Sequence, residues 1–169
     1  MVRTERLEAD QWVRLQGVRL RALHDAPDAF GSTVAQERDA PEEQWRHLLG
    51  LGPWWVAATD DGDVGVVAGG HHAGTDDLWV YSMWVQSDHR GEGVAELLLG
   101  EVVAWAVAEG AGRLGLDVTD RVPRARRFYE RHGFIASGVT FPLPRDPSIL
   151  LVEMTLDLCA VSPGGWTCP

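Results

Sequence analysis

Val85-Gln86-Ser87-Asp88-His89-Arg90-Gly91-Glu92-Gly93-Val94-Ala95 joins an apolar strand pattern to a strongly apolar helix through a glycine-bearing turn. Gly91 and Gly93 carry no side chain to hold a ligand away from the main chain. The first turn of the helix that follows leaves its amides unpaired and partly positive. Such a junction is suited to an anion, above all a phosphate. A pair of glycines spaced in this way also serves merely to turn a chain, so the junction needs support from its surroundings.

Outward from that junction, residues 78–85 read as the strand that feeds it and 94–109 as its helix, with Val94, Leu97, Leu98, Val102 and Trp105 on one stripe. Gly110 and Gly112 end the helix, and 113–118 is a strand that should lie parallel to 78–85 after a right-handed crossover. Upstream, residues 2–7 alternate as a strand. Asp10 is placed to cap a helix whose buried stripe is Trp12, Val13, Leu15, Val18, Leu20 and Leu23. Residues 25–32 form a loop, and Asp39-Ala40-Pro41-Glu42 starts a helix with Trp45, Leu48 and Leu49 on its apolar face. Residues 54–59 and 64–70 make a hairpin around Asp60-Asp61-Gly62-Asp63. Residues 123–132 are a helix closed by Gly133, followed by strands 134–140 and 149–158. The sum is an α/β chain with a mixed sheet, expected as one domain over 1–160 with a loose tail over 161–169.

The 169 residues are 45% hydrophobic and carry a net charge of −10, enough apolar content for one substantial core. The acidity argues against broad nucleic-acid binding, and the short group Arg121, Arg124, Arg126, Arg127 and Arg131 suits one small anion better. The acidity also favours attraction of a cation such as an amine. No apolar run is long enough to span a bilayer, and residues 1–6 lack the apolar segment of a secretion signal, so no membrane partner and a cytoplasmic location are expected. Cys159 and Cys168 have no metal-like spacing and are expected as reduced thiols; no metal is expected.

The spacing Arg90-x-x-Gly93-x-Ala95 resembles the acyl-coenzyme A motif of the GNAT superfamily of N-acetyltransferases, and Ala125-Arg126-Arg127-Phe128-Tyr129-Glu130-Arg131-His132-Gly133-Phe134 resembles that family's later signature. The resemblance implies a mixed, mostly antiparallel sheet of six to seven strands with helices on both faces, splayed between the fourth and fifth strands. It implies acetyl-CoA as co-substrate, with its pyrophosphate on Arg90, Gly91, Glu92, Gly93, Val94 and Ala95 and its pantetheine arm along the backbone of Trp84 and Val85. A splayed strand edge exposes main-chain groups that such a strand-like ligand can satisfy.

The resemblance further implies that Tyr129 donates a proton to the departing thiolate, the alternative being a packed phenol at a rim. Asp117 lies where one branch of the family places a glutamate base; the alternative is a cap or a pair with Arg121. His71 and His72 rank behind it, and residues 78–85 hold no carboxylate. Val122 replaces the asparagine that usually binds pantetheine, leaving Thr119 or Asp120 to supply the contact.

For the acceptor, Phe30, Ser32, Trp79 and His71 are the chosen residues, from an aromatic set that also includes Trp54, Trp55 and Trp84. The expected activity is transfer of an acetyl group to a primary amine of a small molecule or peptide by direct attack in a ternary complex. Self-association as a homodimer is left open. The alternative is a non-catalytic acyl-CoA sensor, which Val122 favours and an intact Tyr129 disfavours.

Overall fold

The computed structural model describes residues 1–159. Strands β1 (Arg3–Arg6), β2 (Trp54–Thr59), β3 (Gly62–His71), β4 (Leu78–Val85), β5 (Arg113–Thr119), β6 (Ile135–Leu143) and β7 (Asp146–Asp157) form one seven-stranded sheet in the order β1-β2-β3-β4-β5-β7-β6. Its helices are α1 (Trp12–Asp25), α2 (Val34–Glu37), α3 (Glu42–Leu51), α4 (Val94–Ala108) and α5 (Pro123–Arg131). Every strand pairing is antiparallel except β4 with β5, which α4 connects.

The parallel pair is short. Leu78 meets Leu114 and Trp79 meets Gly115, and beyond these two positions β4 and β5 part. The pairing of β3 with β4 shifts register between Val66 and Ala68, and Ser82 adopts a left-handed backbone with φ of 57°. A bulge bends its strand and increases twist, so the C-terminal half of β4 turns away from β5 while β5 stays paired with β7 along its whole length.

Two apolar cores cover the sheet. One packs α4 and α5 against residues such as Val67, Leu114, Leu116 and Met154. The other packs α1 and α3 against Val56, Val66 and Trp84. In α4, Val94, Leu98, Leu99, Val102, Val103 and Ala106 are all buried. Each larger side chain there contributes about 1.5–3 kcal/mol by leaving water, which fixes the helix N-terminus against the end of β4.

Several sequence expectations change. Gln11, not Asp10, is the N-cap of α1, and it makes no side-chain cap bond to the helix. Pro41 occupies the N-cap of α3 in place of Asp39. The genuine capping box belongs to α2, where the Thr33 hydroxyl accepts from the Gln36 amide and the Gln36 side chain accepts from the Thr33 amide. Val13 and Leu97 are exposed, because their neighbours Leu15, Val18, Leu98 and Leu99 already fill the faces turned to the sheet. Cys159 is a free, exposed thiol; Cys168 and the expected tail lie outside the described residues. No helix among the described residues is long and apolar enough to cross a membrane.

Candidate active site

The turn after β4 builds a cradle from main-chain groups. Gly91 and Gly93 have φ of 84° and 83°, a left-handed conformation that L side chains disfavour, and Gly93 is the N-cap of α4. The Arg90 amide is used by the Ser87 carbonyl at 3.3 Å. The free donors of the cradle are therefore those from Gly91 to Ala95, and a Cβ at Gly91 or Gly93 would meet nothing within 4 Å, so the space before them is open.

Beside the cradle lies a cavity of about 280 Å³, lined by Met83, Trp84 and Val85 at the end of β4, by Arg90 and Gly91, and by Ala125, Phe128 and Tyr129 of α5. The parting of β4 from β5 opens it. Arg90 also closes one side, its Nε donating to the Val85 carbonyl at 2.8 Å while its Nη2 pairs with Asp25. The Trp84 indole N–H donates to the same Asp25 carboxylate at 2.9 Å. Burial pushes the Asp25 carboxyl up, but Trp84, Arg90 and Arg124 outweigh it and hold the group below the ordinary carboxylate range.

A cleft of about 400 Å³ also borders the parted strands, lined by Phe30, Ser32, Trp79, Tyr81, Asp117 and Arg19 among others. A small cavity of about 70 Å³, which Asp117, Thr119 and Tyr129 help to line, sits between the two. Gly115 and Asp117 point to one face of β5. A side chain at Gly115 would collide with the Trp79 ring. Glycine there lets the indole cross the strand, and its Nε1 donates to Asp117 Oδ2 at 3.4 Å. His72 stacks on Trp79 with ring centroids 4.2 Å apart.

Asp117 is half-buried, and burial pushes its carboxyl above the ordinary range. The Trp79 hydrogen bond and His72 oppose that shift, whereas Glu153, its cross-strand partner on β7, adds to it. Asp117 Oδ1 and Thr119 Oγ1 are buried without a hydrogen-bond partner among the described residues. Arg121 instead donates to the Ser148 carbonyl at 3.1 Å, so the pair with Asp117 considered from sequence is not formed. Asp120 accepts from the Leu150 amide at 3.1 Å, which leaves Thr119 the uncommitted one of the two residues beside Val122.

Arg19 does not offset the Asp117 charge, since its guanidinium is bound in bidentate fashion by Glu37 at 2.8 and 3.0 Å. It also donates to Ser82 Oγ at 2.9 Å and lies over the Phe30 ring at 4.9 Å. Tyr129 is buried, with the edges of Phe128 and Phe134 against it, and burial pushes its phenol well above the ordinary value.

The fold thus brings Phe30, Asp117 and Tyr129 to the small cavity at the junction, with Ser32 and Trp79 in the adjoining cleft. His71 sits apart, exposed at the end of β3, where its carbonyl accepts from the Tyr81 hydroxyl at 3.2 Å. Trp54, Trp55 and Trp84 belong to the cores. Sequence reasoning missed Arg19, Asp25 and Tyr81. Asp25 carried one readable signal, a carboxylate at a helix C-terminus where the dipole disfavours it.

A family model for the GNAT acetyltransferases matches residues 19–134, from the middle of α1 to the end of the second signature. The chain belongs to the GNAT family. This GNAT chain is 34% identical over 86 residues to streptothricin acetyltransferase of Streptomyces lavendulae, covering 50% of the chain and 46% of that protein. It is 32% identical over 87 residues to N-acetylaspartate synthetase of Homo sapiens, covering 52% of the chain and 29% of that protein. These matches span less than half the length of either curated relative. Among solved structures, yncA from Salmonella typhimurium with its cofactor acetyl-CoA superposes with a TM-score of 0.73 at 16% identity, covering 99% of both chains. That likeness concerns the fold.

Proposed function

We propose that the chain is an N-acetyltransferase that moves an acetyl group from acetyl-CoA to a primary amine by direct attack in a ternary complex. The observation that carries this reading is the juxtaposition of a donor cavity ending at Tyr129 with an aromatic cleft holding Asp117, across the gap between β4 and β5. Relatives named for acetylating streptothricin and for making N-acetylaspartate support acetyl transfer as the reaction class.

In this reading the free amides from Gly91 to Ala95 hold the diphosphate, as a helix N-terminus does for anions. The open edge of β4 near Trp84 and Val85 holds the pantetheine arm, and Thr119 supplies the hydroxyl contact that Val122 cannot. An ammonium is drawn into the cleft by Asp117 and by the faces of Phe30 and Trp79. Asp117 takes one proton from it. The amine nitrogen then bonds to the thioester carbon, the carbon–sulfur bond breaks as Tyr129 gives its proton to the leaving sulfur, and the second proton shed by the nitrogen restores the phenol.

Burial keeps the Tyr129 phenol protonated, as a donor to the departing sulfur must be, while making it a weaker acid than a free phenol. The raised Asp117 pKa suits a base, since it brings a carboxyl closer to neutrality. Most of the rate would come from orientation of the two substrates across the gap. Coenzyme A thiol release, followed over a panel of primary amines with acetyl-CoA, tests the assignment. Release that requires both Asp117 and Tyr129 supports it. Heat of acetyl-CoA binding without thiol release for any amine would favour the acyl-CoA sensor instead.

A further inference from the structure

Ala29 lines the donor cavity, the acceptor cleft and the small cavity between them. The short turn Pro27–Ala29 is therefore the partition between the two substrates, and it is anchored at both sides by arginine. Toward the donor, Asp25 at the end of α1 is bound by Arg90 of the phosphate cradle and by the Trp84 indole. Toward the acceptor, Arg145, from the turn between β6 and β7, donates through Nε to the Phe30 carbonyl at 3.1 Å and through Nη2 to the Pro27 carbonyl.

We infer that Asp25 and Arg145 are positioning residues that make the acceptor wall, residues 26–32, depend on occupancy of the phosphate cradle. The inference rests on the proposed donor site. Arg90 is the joint: its side chain reaches both the Val85 carbonyl and Asp25, while its main chain enters the cradle. An anion held by the amides from Gly91 to Ala95 fixes the backbone that carries Arg90. The fixed guanidinium then holds Asp25, and Asp25 holds the start of the wall. Arg145 gives the wall a second fixed end, so motion suppressed at Asp25 is suppressed at Phe30 and Ser32 as well. Two sites that both order one segment favour each other's occupancy.

Peptide-resolved hydrogen exchange with coenzyme A as the probe tests this without knowledge of the acceptor. In the wild-type protein, saturating coenzyme A should slow exchange in both 90–97 and 26–32, the latter by about fivefold. Asp25→Asn retains a carbonyl for the Trp84 indole but removes the charge. It should keep the protection at 90–97 and lose that at 26–32. Asp25→Ser removes the same charge with a smaller side chain and should give the same separation, which guards against a folding defect peculiar to one variant. Arg145→Ala should speed exchange at 26–32 in both states and leave 90–97 unchanged. Retained protection of 26–32 in both charge-removing variants, or none in the wild type while 90–97 is protected, overturns the inference. Absence of protection at 90–97 in the wild type would instead overturn the donor-site reading on which it rests.

Discussion

The main-chain cradle after β4 and the aromatic cleft, the proposed donor and acceptor sites, border the same parted strands, yet they are built from different materials. The cradle is main chain: two left-handed glycines and the first amides of α4, all contiguous from Gly91 to Ala95. The cleft is side chain, with Arg19 from α1, Phe30 from the loop after it, Trp79 and Tyr81 from β4, and Asp117 from β5. A main-chain site tolerates exchange of most of its side chains but not of its backbone conformation. A side-chain site has the opposite sensitivity, which allows one sheet to keep its donor while its acceptor changes.

The largest expected effect separates the two regions at the cradle. Gly93→Val forces a branched side chain into φ of 83° and fills the open space before the amides, so acetyl-CoA affinity by calorimetry should fall about a hundredfold. The folded fraction by circular dichroism should change little. A Gly93→Val protein that binds acetyl-CoA normally would remove the cradle from the donor site.

Next in size is the cleft's carboxylate. Asp117→Asn should lower kcat about thirtyfold and leave acetyl-CoA affinity unchanged. In the parent enzyme, activity should rise with pH along a limb displaced above the ordinary carboxylate range, and Asp117→Asn should lose that limb. The sign for stability is the reverse of the usual one. A carboxyl whose folded pKa is raised favours folding in its protonated form, so its contribution is present below the unfolded pKa and is lost as pH rises toward the folded one. Asp117→Asn should therefore melt about 2 °C higher at neutral pH. A variant that is both less active and less stable would contradict this account of Asp117.

Tyr129→Phe belongs to the boundary between the regions and should lower kcat about tenfold, with coenzyme A affinity nearly intact. Unchanged turnover would reduce Tyr129 to its packing against Phe128 and Phe134. The smallest change in activity is expected from Gly115→Ala. Its methyl group displaces the Trp79 ring, costs about 1–3 kcal/mol of stability and should raise the acceptor KM several-fold without touching acetyl-CoA binding. A proportional loss of acetyl-CoA affinity would show that the two regions are not separable at Trp79.

This contrast also explains what could be read in advance. The sequence by itself determined the cradle, because glycine spacing, strand pattern and helix onset are local and their consequence for backbone amides is local too. The order and direction of most strands was legible for the same reason, through short turns and one crossover around α4. Helix starts were less so: Asp10 and Asp39 have capping chemistry, but tertiary packing set the caps at Gln11 and Pro41.

Only the tertiary structure decided how far β4 and β5 part, since that depends on a register shift near Val66 and the left-handed Ser82 rather than on a motif. It alone showed Arg19 neutralised by Glu37, Trp79 laid across Gly115 onto Asp117, and Asp25 joined to Arg90. Each of these is an encounter between residues distant in the chain. A side chain's charge and partners there are properties of its neighbours in space, which pattern and spacing do not carry.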